Sequence, residues 1–289
     1  MNGAIALPGP FEIHRIVEFE GPFREPEHLI PSAVGEALQS TRTYADPRYF
    51  NQAENKLIMA FHGILVRTPR ALILVDACLG NDKHRPFVPE WHMRSGPFIE
   101  DMASVGVSVE QIDYVLCTHL HADHVGWNTQ LIDGRWVPTF PNATYLFGRE
   151  ECEFWEDDEE ANHRSWEDSV QPVFEANQGK IVDSNHEIEP GVSLVPAFGH
   201  SPGHIMLKLD DGKTTAYVIG DVIHHPVQVE HPAWSSQFCW DADKASAMRT
   251  NILEQVADTD QWLIPAHFPT PTAVRVTSDK DGFWLAEKS

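Results

Sequence analysis

The 289-residue sequence predicts an α/β protein, an αββα sandwich in which two similar halves pack sheet to sheet with helices outside. Two observations carry this. The elements run strands, helix, strand, helices, and then strands, helix, strand again. Several histidines and aspartates stand immediately past the ends of apolar, strand-like runs, as a site at one edge of such a sandwich requires. With 42% hydrophobic and 22% charged residues, the composition is that of a globular chain long enough to bury a core unaided.

Residues 11–19 alternate loosely. Residues 56–66 and 71–75, separated by Thr68-Pro69-Arg70, read as a hairpin entering a sheet. The Pro-rich stretch 20–55 shows little periodicity, so it reads as a lid or extended segment rather than core, within a single domain over 1–289. Residues 97–105 suit a short helix, and Ser108-Val109-Glu110-Gln111 has the form of a capping box. A buried strand follows at 114–117 and another at 143–147, with helices expected over 149–158 and 160–177. Residues 192–196, 205–209 and 215–219 are short strands with turns at Gly199 and Asp211-Gly212. A helix begun by Asp243 spans 243–257, and 262–264 is a last buried strand.

The formal charge of −22, with no basic cluster, argues against nucleic acid as a partner. The acidic run 156–160 reads as a solvated helix face. Cys78, Cys117, Cys152 and Cys239 lack CxxC spacing and are expected as reduced, partly buried thiols. The N-terminus has no basic region before a long apolar run, and no apolar stretch approaches the roughly 20 residues of a membrane span. The expected location is cytoplasmic.

The chemistry is concentrated in Thr118-His119-Leu120-His121-Ala122-Asp123-His124. Residues at i and i+2 project to one side only in an extended or turning segment, so His119 and His121 can share one metal ion. Asp123 and His124, further round the turn, are placed for a second. Imidazole with carboxylate suits zinc, with manganese, iron and cobalt also compatible, and the absence of cysteine argues against a closed structural site. Further donors stand past other strands: His200 in Gly199-His200-Ser201-Pro202-Gly203-His204, Asp221 after Ile219-Gly220, and His267.

On these residues the chain resembles the metallo-β-lactamase-fold superfamily, in which an HxHxDH motif, a later His, a later Asp and a last His recur in that order. The resemblance spans roughly residues 61–268 and includes Val75-Asp76 and Ile219-Gly220-Asp221. It implies two mixed sheets packed face to face. It also implies His119, His121 and His200 on one metal, Asp123, His124 and His267 on the other, and Asp221 bridging both. Two cations sharing a water lower its pKa from about 15.7 toward neutrality, so the resemblance implies hydrolysis by a bridging hydroxide. Asp123, Asp221 and His224 are the residues expected to take part in catalysis.

Asp76 resembles the family's aspartate that orients a metal-bound histidine, or else caps its strand. His204 is either a supporting residue or a turn partner. His224 stands where the lactonase branch has a tyrosine that assists the substrate carbonyl. His225 and His231 read as surface or packing residues. Trp127, Trp234, Phe238 and Trp240 are either an apolar substrate wall or core, with Trp127 favoured for the wall.

Within the superfamily, Asp221 is not the cysteine of broad-spectrum β-lactamases, and His121 is not the glutamate of flavodiiron enzymes. The pattern is nearest the quorum-quenching lactonases and the hydrolases related to methyl parathion hydrolase. The expected reaction is hydrolysis of a lactone or aryl ester of apolar or aromatic character. Phosphotriester hydrolysis is the runner-up, followed by thioester cleavage as in glyoxalase II. Outside hydrolysis stand a mononuclear iron oxidoreductase of the persulfide dioxygenase type and a sensory protein without activity. A homodimer is compatible with the resemblance.

Overall fold

The computed structural model describes residues 2–5, 7, 9–156 and 164–286, which form two compact units. The first comprises Met1–Glu18 and Phe61–Glu189, the second Phe19–Ala60 and Pro190–Ser289.

The first unit holds most residues of a sheet whose strands run in the order Gly3–Ile5, Glu12–Arg24, Lys56–Arg67, Leu72–Val75, Tyr114–Leu116, Thr144–Gly148 and Gly179–Val182. The expected hairpin is present, with Ile64 opposite Val75 and Arg67 opposite Leu72 in antiparallel register. From Leu72–Val75 onward the neighbours are parallel. All four side chains of Leu72–Val75 are buried, as a strand covered on both faces requires. Its core gathers Leu72, Leu74, Phe98, Met102, Val115, Tyr145 and Phe147, and burying each such side chain is worth roughly 1.5–3 kcal/mol.

The helix Phe98–Ser104 forms where expected, and Ser108 and Gln111 close their capping box over a single 3₁₀ turn. Helix Arg149–Trp155 also forms; its expected continuation through 158, and most of the acidic run 156–160, lie outside the described residues, as do 160–163 of the next predicted helix. The remainder of that helix is divided: a π-type turn over Trp166–Val170 precedes an α-turn over Gln171–Glu175. Pro172 has no N–H for the ladder, which accounts for the widened turn before it.

In the second unit the sheet order is Glu187–Glu189, Val192–Pro196, Ile205–Asp210, Thr215–Gly220 and Trp262–Pro265. The first pairs described are antiparallel, and the last two strands are parallel. Helix Ala242–Val256 is capped by Asp241, which accepts from Lys244 N at 3.0 Å, so the aspartate that begins it is two residues earlier than Asp243.

Segment 20–55 departs from the expectation of a structureless stretch. It contains the short helices Pro26–Leu29, Gly35–Gln39 and Arg42–Ala45, and Phe50–Asn51 pairs with the start of Lys56–Arg67. Leu29, Ile30, Ala33, Leu38 and Phe50 bury themselves with Leu57, Met59 and Val227. Glu230 accepts from Arg42 N and Thr43 N, and from the Thr43 hydroxyl. The helices are too short for a 3.6-residue period to show. Among the described residues no helix is long and apolar enough to cross a membrane.

Candidate metal centre

The HxHxDH segment begins where the strand Tyr114–Leu116 ends. The chain bends at Thr118 and His119, and Leu120 is buried with its N–H donating to Glu151 Oε1 at 3.0 Å. His121 then caps a single helical turn, Ala122–Val125, at φ −62° and ψ 151°. The turn is pinned by Ala77 N to His124 O (2.6 Å) and Gly126 N to Cys78 O (2.7 Å). Gly126 must be glycine, since a Cβ there would meet Leu79 O at 1.9 Å.

This backbone brings donor atoms together in pairs. A ring nitrogen of His119 lies within 4.8 Å of one on His121, and the same holds for a His124 nitrogen and an Asp123 oxygen. His119 and His124 are buried, whereas His121 and Asp123 are half-buried and His121 packs edge-on against Trp155 at 5.5 Å.

Asp76, at positive φ just past its strand, accepts from Thr118 N (2.8 Å), Thr118 Oγ1 (2.9 Å) and His124 Nδ1 (2.9 Å). Thr118 Oγ1 in turn lies 3.1 Å from His119 Nδ1. One carboxylate therefore sets the orientation of His124 directly and of His119 through a hydroxyl. Holding Nδ1–H in this way leaves Nε2 as the lone pair for a metal.

In the second unit Asp221 and His267 follow adjacent parallel strands, at the carboxyl ends where α/β sheets carry their sites. Asp221 is buried: His200 Nε2 and His224 Nε2 each lie 3.3 Å from its Oδ2, and His267 Nε2 lies 3.1 Å from its Oδ1. His267 Nδ1 donates to Ala60 O at 3.0 Å. His204 supports Asp221 from behind, its Nε2 accepting the Asp221 backbone N–H at 3.1 Å. A carboxylate flanked by His200 and His267, whose Nδ1 atoms face Cys239 Sγ and Ala60 O, is the donor chemistry of a divalent metal, and both donor groups fit such an ion.

His224 is buried, 4.7 Å from the His200 ring and 6.1 Å from that of His267. Its backbone N–H donates to Gln228 Oε1 at 2.7 Å, and burial pushes its pKa below the usual range. His225 is a packing residue, wholly buried with Nε2 3.0 Å from Tyr49 O, and burial lowers its pKa to about 4. His231 stacks on Trp234 at 4.0 Å.

Trp127 is buried in the core of the first unit. It stacks on Phe98 at 5.4 Å in the core and donates to Glu18 Oε1 at 2.7 Å. Trp234 is half-buried against the cluster around Leu29, and Phe238 and Trp240 are exposed. The cysteines are free thiols, three buried and Cys239 half-buried.

Sequence reasoning missed Thr118 as a relay, Glu151 under Leu120, Gln228 under His224, and Cys239, whose Sγ lies 3.6 Å from His200 Nδ1. Thr118 alone carried a signal, being the residue between an apolar strand and the motif.

Residues 63–282 match the model of the metallo-beta-lactamase superfamily, and the chain belongs to that superfamily. Its fold is the metallo-β-lactamase fold, an α/β fold of mixed sheets with helices. Among curated relatives, an N-acyl homoserine lactonase of Bacillus cereus is 32% identical over 111 residues, 38% of each chain. The match thus spans under two-fifths of that relative. Among solved structures, the hydrolase AbOPH of the beta lactamase superfamily is similar with a TM-score of 0.81 at 22% identity, over 100% of this chain and 97% of that one. AidC, a dizinc quorum-quenching lactonase in complex with a product, N-hexnoyl-L-homoserine, has a TM-score of 0.79 at 24% identity over the same shares.

Proposed function

We propose that the chain is a dinuclear metal-dependent hydrolase of small-molecule ester-like bonds, with lactones and aryl esters as its first substrate class. The observation that carries this is the donor chemistry: buried imidazoles whose second nitrogens are already committed, and a buried aspartate with a histidine nitrogen facing each oxygen. In this reading His119, His121 and His200 hold one ion, Asp123, His124 and His267 the other, and Asp221 serves both. Zinc is the ion this donor set favours.

When bound, such a pair of cations supplies a water of lowered pKa and a Lewis acid for the oxygen that becomes negative. The chain's own residues do the rest. Asp76 and Ala60 O keep His124 and His267 in the tautomer with Nε2 unprotonated. His224, with Nε2 beside Asp221, orients the substrate carbonyl or hands a proton to the leaving oxygen. Phe238 and Trp240 expose aromatic surface in the loop whose Trp240 N–H donates to His200 O at 2.8 Å, which suits an apolar or aromatic substrate. That the similar AidC is a dizinc lactonase supports the same reading.

The test is metal quantification on purified protein, followed by a panel of lactones, aryl esters and phosphotriesters. Hydrolysis of a lactone or aryl ester that disappears on chelation and returns with zinc is expected. An inert metal-loaded protein, or one iron per chain with oxygen uptake, would contradict the proposal.

A further inference from the structure

The histidine donors differ in what holds their second nitrogen. For His124 it is the Asp76 carboxylate at 2.9 Å, for His119 the Thr118 hydroxyl at 3.1 Å, and for His267 the Ala60 carbonyl at 3.0 Å. All three are oxygens. His200 differs, because its Nδ1 faces the Cys239 sulfur at 3.6 Å, a contact of ordinary length for sulfur.

The placement of that sulfur is built in from both sides. Cys239 N donates to Ser236 O at 3.2 Å and Gln237 N to Leu29 O at 3.0 Å, which fixes the turn. The next two residues clamp the histidine itself, Trp240 N donating to His200 O (2.8 Å) and Asp241 N to Gly199 O (3.0 Å). Gly199, at φ +140°, lets this loop lie against the start of the helix, where a Cβ would meet Ala245 N at 2.4 Å. From that helix the wholly buried Arg249 sends its guanidinium beside the thiol. It is itself anchored by Nε to Val222 O (3.1 Å) and by Nη1 to Pro232 O (2.7 Å) and Trp234 O (3.1 Å).

We propose that Cys239, backed by Arg249, is the positioning residue of His200: its sulfur accepts the Nδ1–H and keeps Nε2 turned toward Asp221 as a metal donor. This rests on the metal-site reading above. Sulfur is a weaker acceptor than the oxygens that face the Nδ1 atoms of His119, His124 and His267.

The test uses the full chain with Cys239→Val, a somewhat larger apolar side chain that removes the acceptor, and Cys239→Ser, which restores an acceptor. Zinc affinities are read by competition with a chromophoric chelator, and the visible spectrum of the cobalt-loaded protein reports donor geometry. Cys239→Val should weaken one of two zinc affinities about 10- to 100-fold and alter the cobalt spectrum, with the unfolding midpoint of the metal-free protein unchanged. Cys239→Ser should recover part of the affinity. Wild-type affinities and spectrum in Cys239→Val, or equal losses in both variants, would overturn the proposal. Should the valine variant fail to fold, Cys239→Ala carries the same comparison. A wild-type protein that takes up no zinc would instead overturn the metal-site reading itself.

Discussion

Asp76 concentrates dependence in one side chain, because a single carboxylate accepts from a backbone N–H, a hydroxyl and an imidazole. Asp76→Asn keeps an oxygen for Thr118 N but offers His124 Nδ1–H an amide nitrogen that cannot accept. The expected result is a 10- to 100-fold loss of zinc affinity with the fold retained, measured by chelator competition beside circular dichroism. An unchanged affinity would reduce Asp76 to a strand-end cap. His224 sits among the donors with Nε2 3.3 Å from Asp221 Oδ2. His224→Phe should lower turnover by two to four orders of magnitude, the usual worth of general acid–base help, at unchanged metal content. Unchanged turnover in that variant would make the residue structural.

Among the elements, those readable from the sequence are the ones whose physics is local. The hairpin through Thr68-Pro69-Arg70, the capping box at Ser108 and the strands that precede Asp221 and His267 each follow from runs of apolar residues and short-range hydrogen bonds. The donors were legible because each follows a strand end. The supports behind them were not, since Cys239 and His200, or Ala60 and His267, meet through contacts between residues far apart in sequence. The hairpin Thr129–Ile132 with Arg135–Pro138 went unread although Asp133-Gly134, both at positive φ, is a strong turn signal. Of the two readings open for Trp127, the structure supports core packing, because proximity to a ligand in sequence says nothing about which way an indole points.

Lys83 shows how an element can be tied by buried charge. Its Nζ donates to Thr129 Oγ1 (2.7 Å) and Asp168 O (2.9 Å) and lies 3.6 Å over the Trp136 ring. Arg85 pairs with both oxygens of Asp168 at 2.6 and 2.8 Å. Burial lowers the Lys83 pKa from 10.5 to about 7, against the opposing pull of Asp168. A base whose folded pKa is depressed binds fewer protons folded than unfolded between those values, so stability rises with pH across about 7 to 10.5. Urea unfolding of wild type against Lys83→Met should show that rise in the difference between the two. A pH-independent difference would contradict the assignment.

For the whole molecule, we propose that His119, His121, Asp123 and His124 from one stretch and His200, Asp221 and His267 from another serve a pair of metal ions. Membership of the metallo-β-lactamase superfamily over residues 63–282 makes the pattern expected, and the oriented imidazoles make it chemically coherent. Anything bound to the folded state alone stabilises it by mass action, about 4 kcal/mol at a thousand times the dissociation constant, so zinc should raise the unfolding midpoint and a chelator lower it. The most direct measurement is the metal content per chain of wild type and of Asp221→Ala, loaded with zinc and desalted. Two ions are expected in the wild type and fewer in the variant. One ion or none in the wild type, or two in Asp221→Ala, would contradict the proposal.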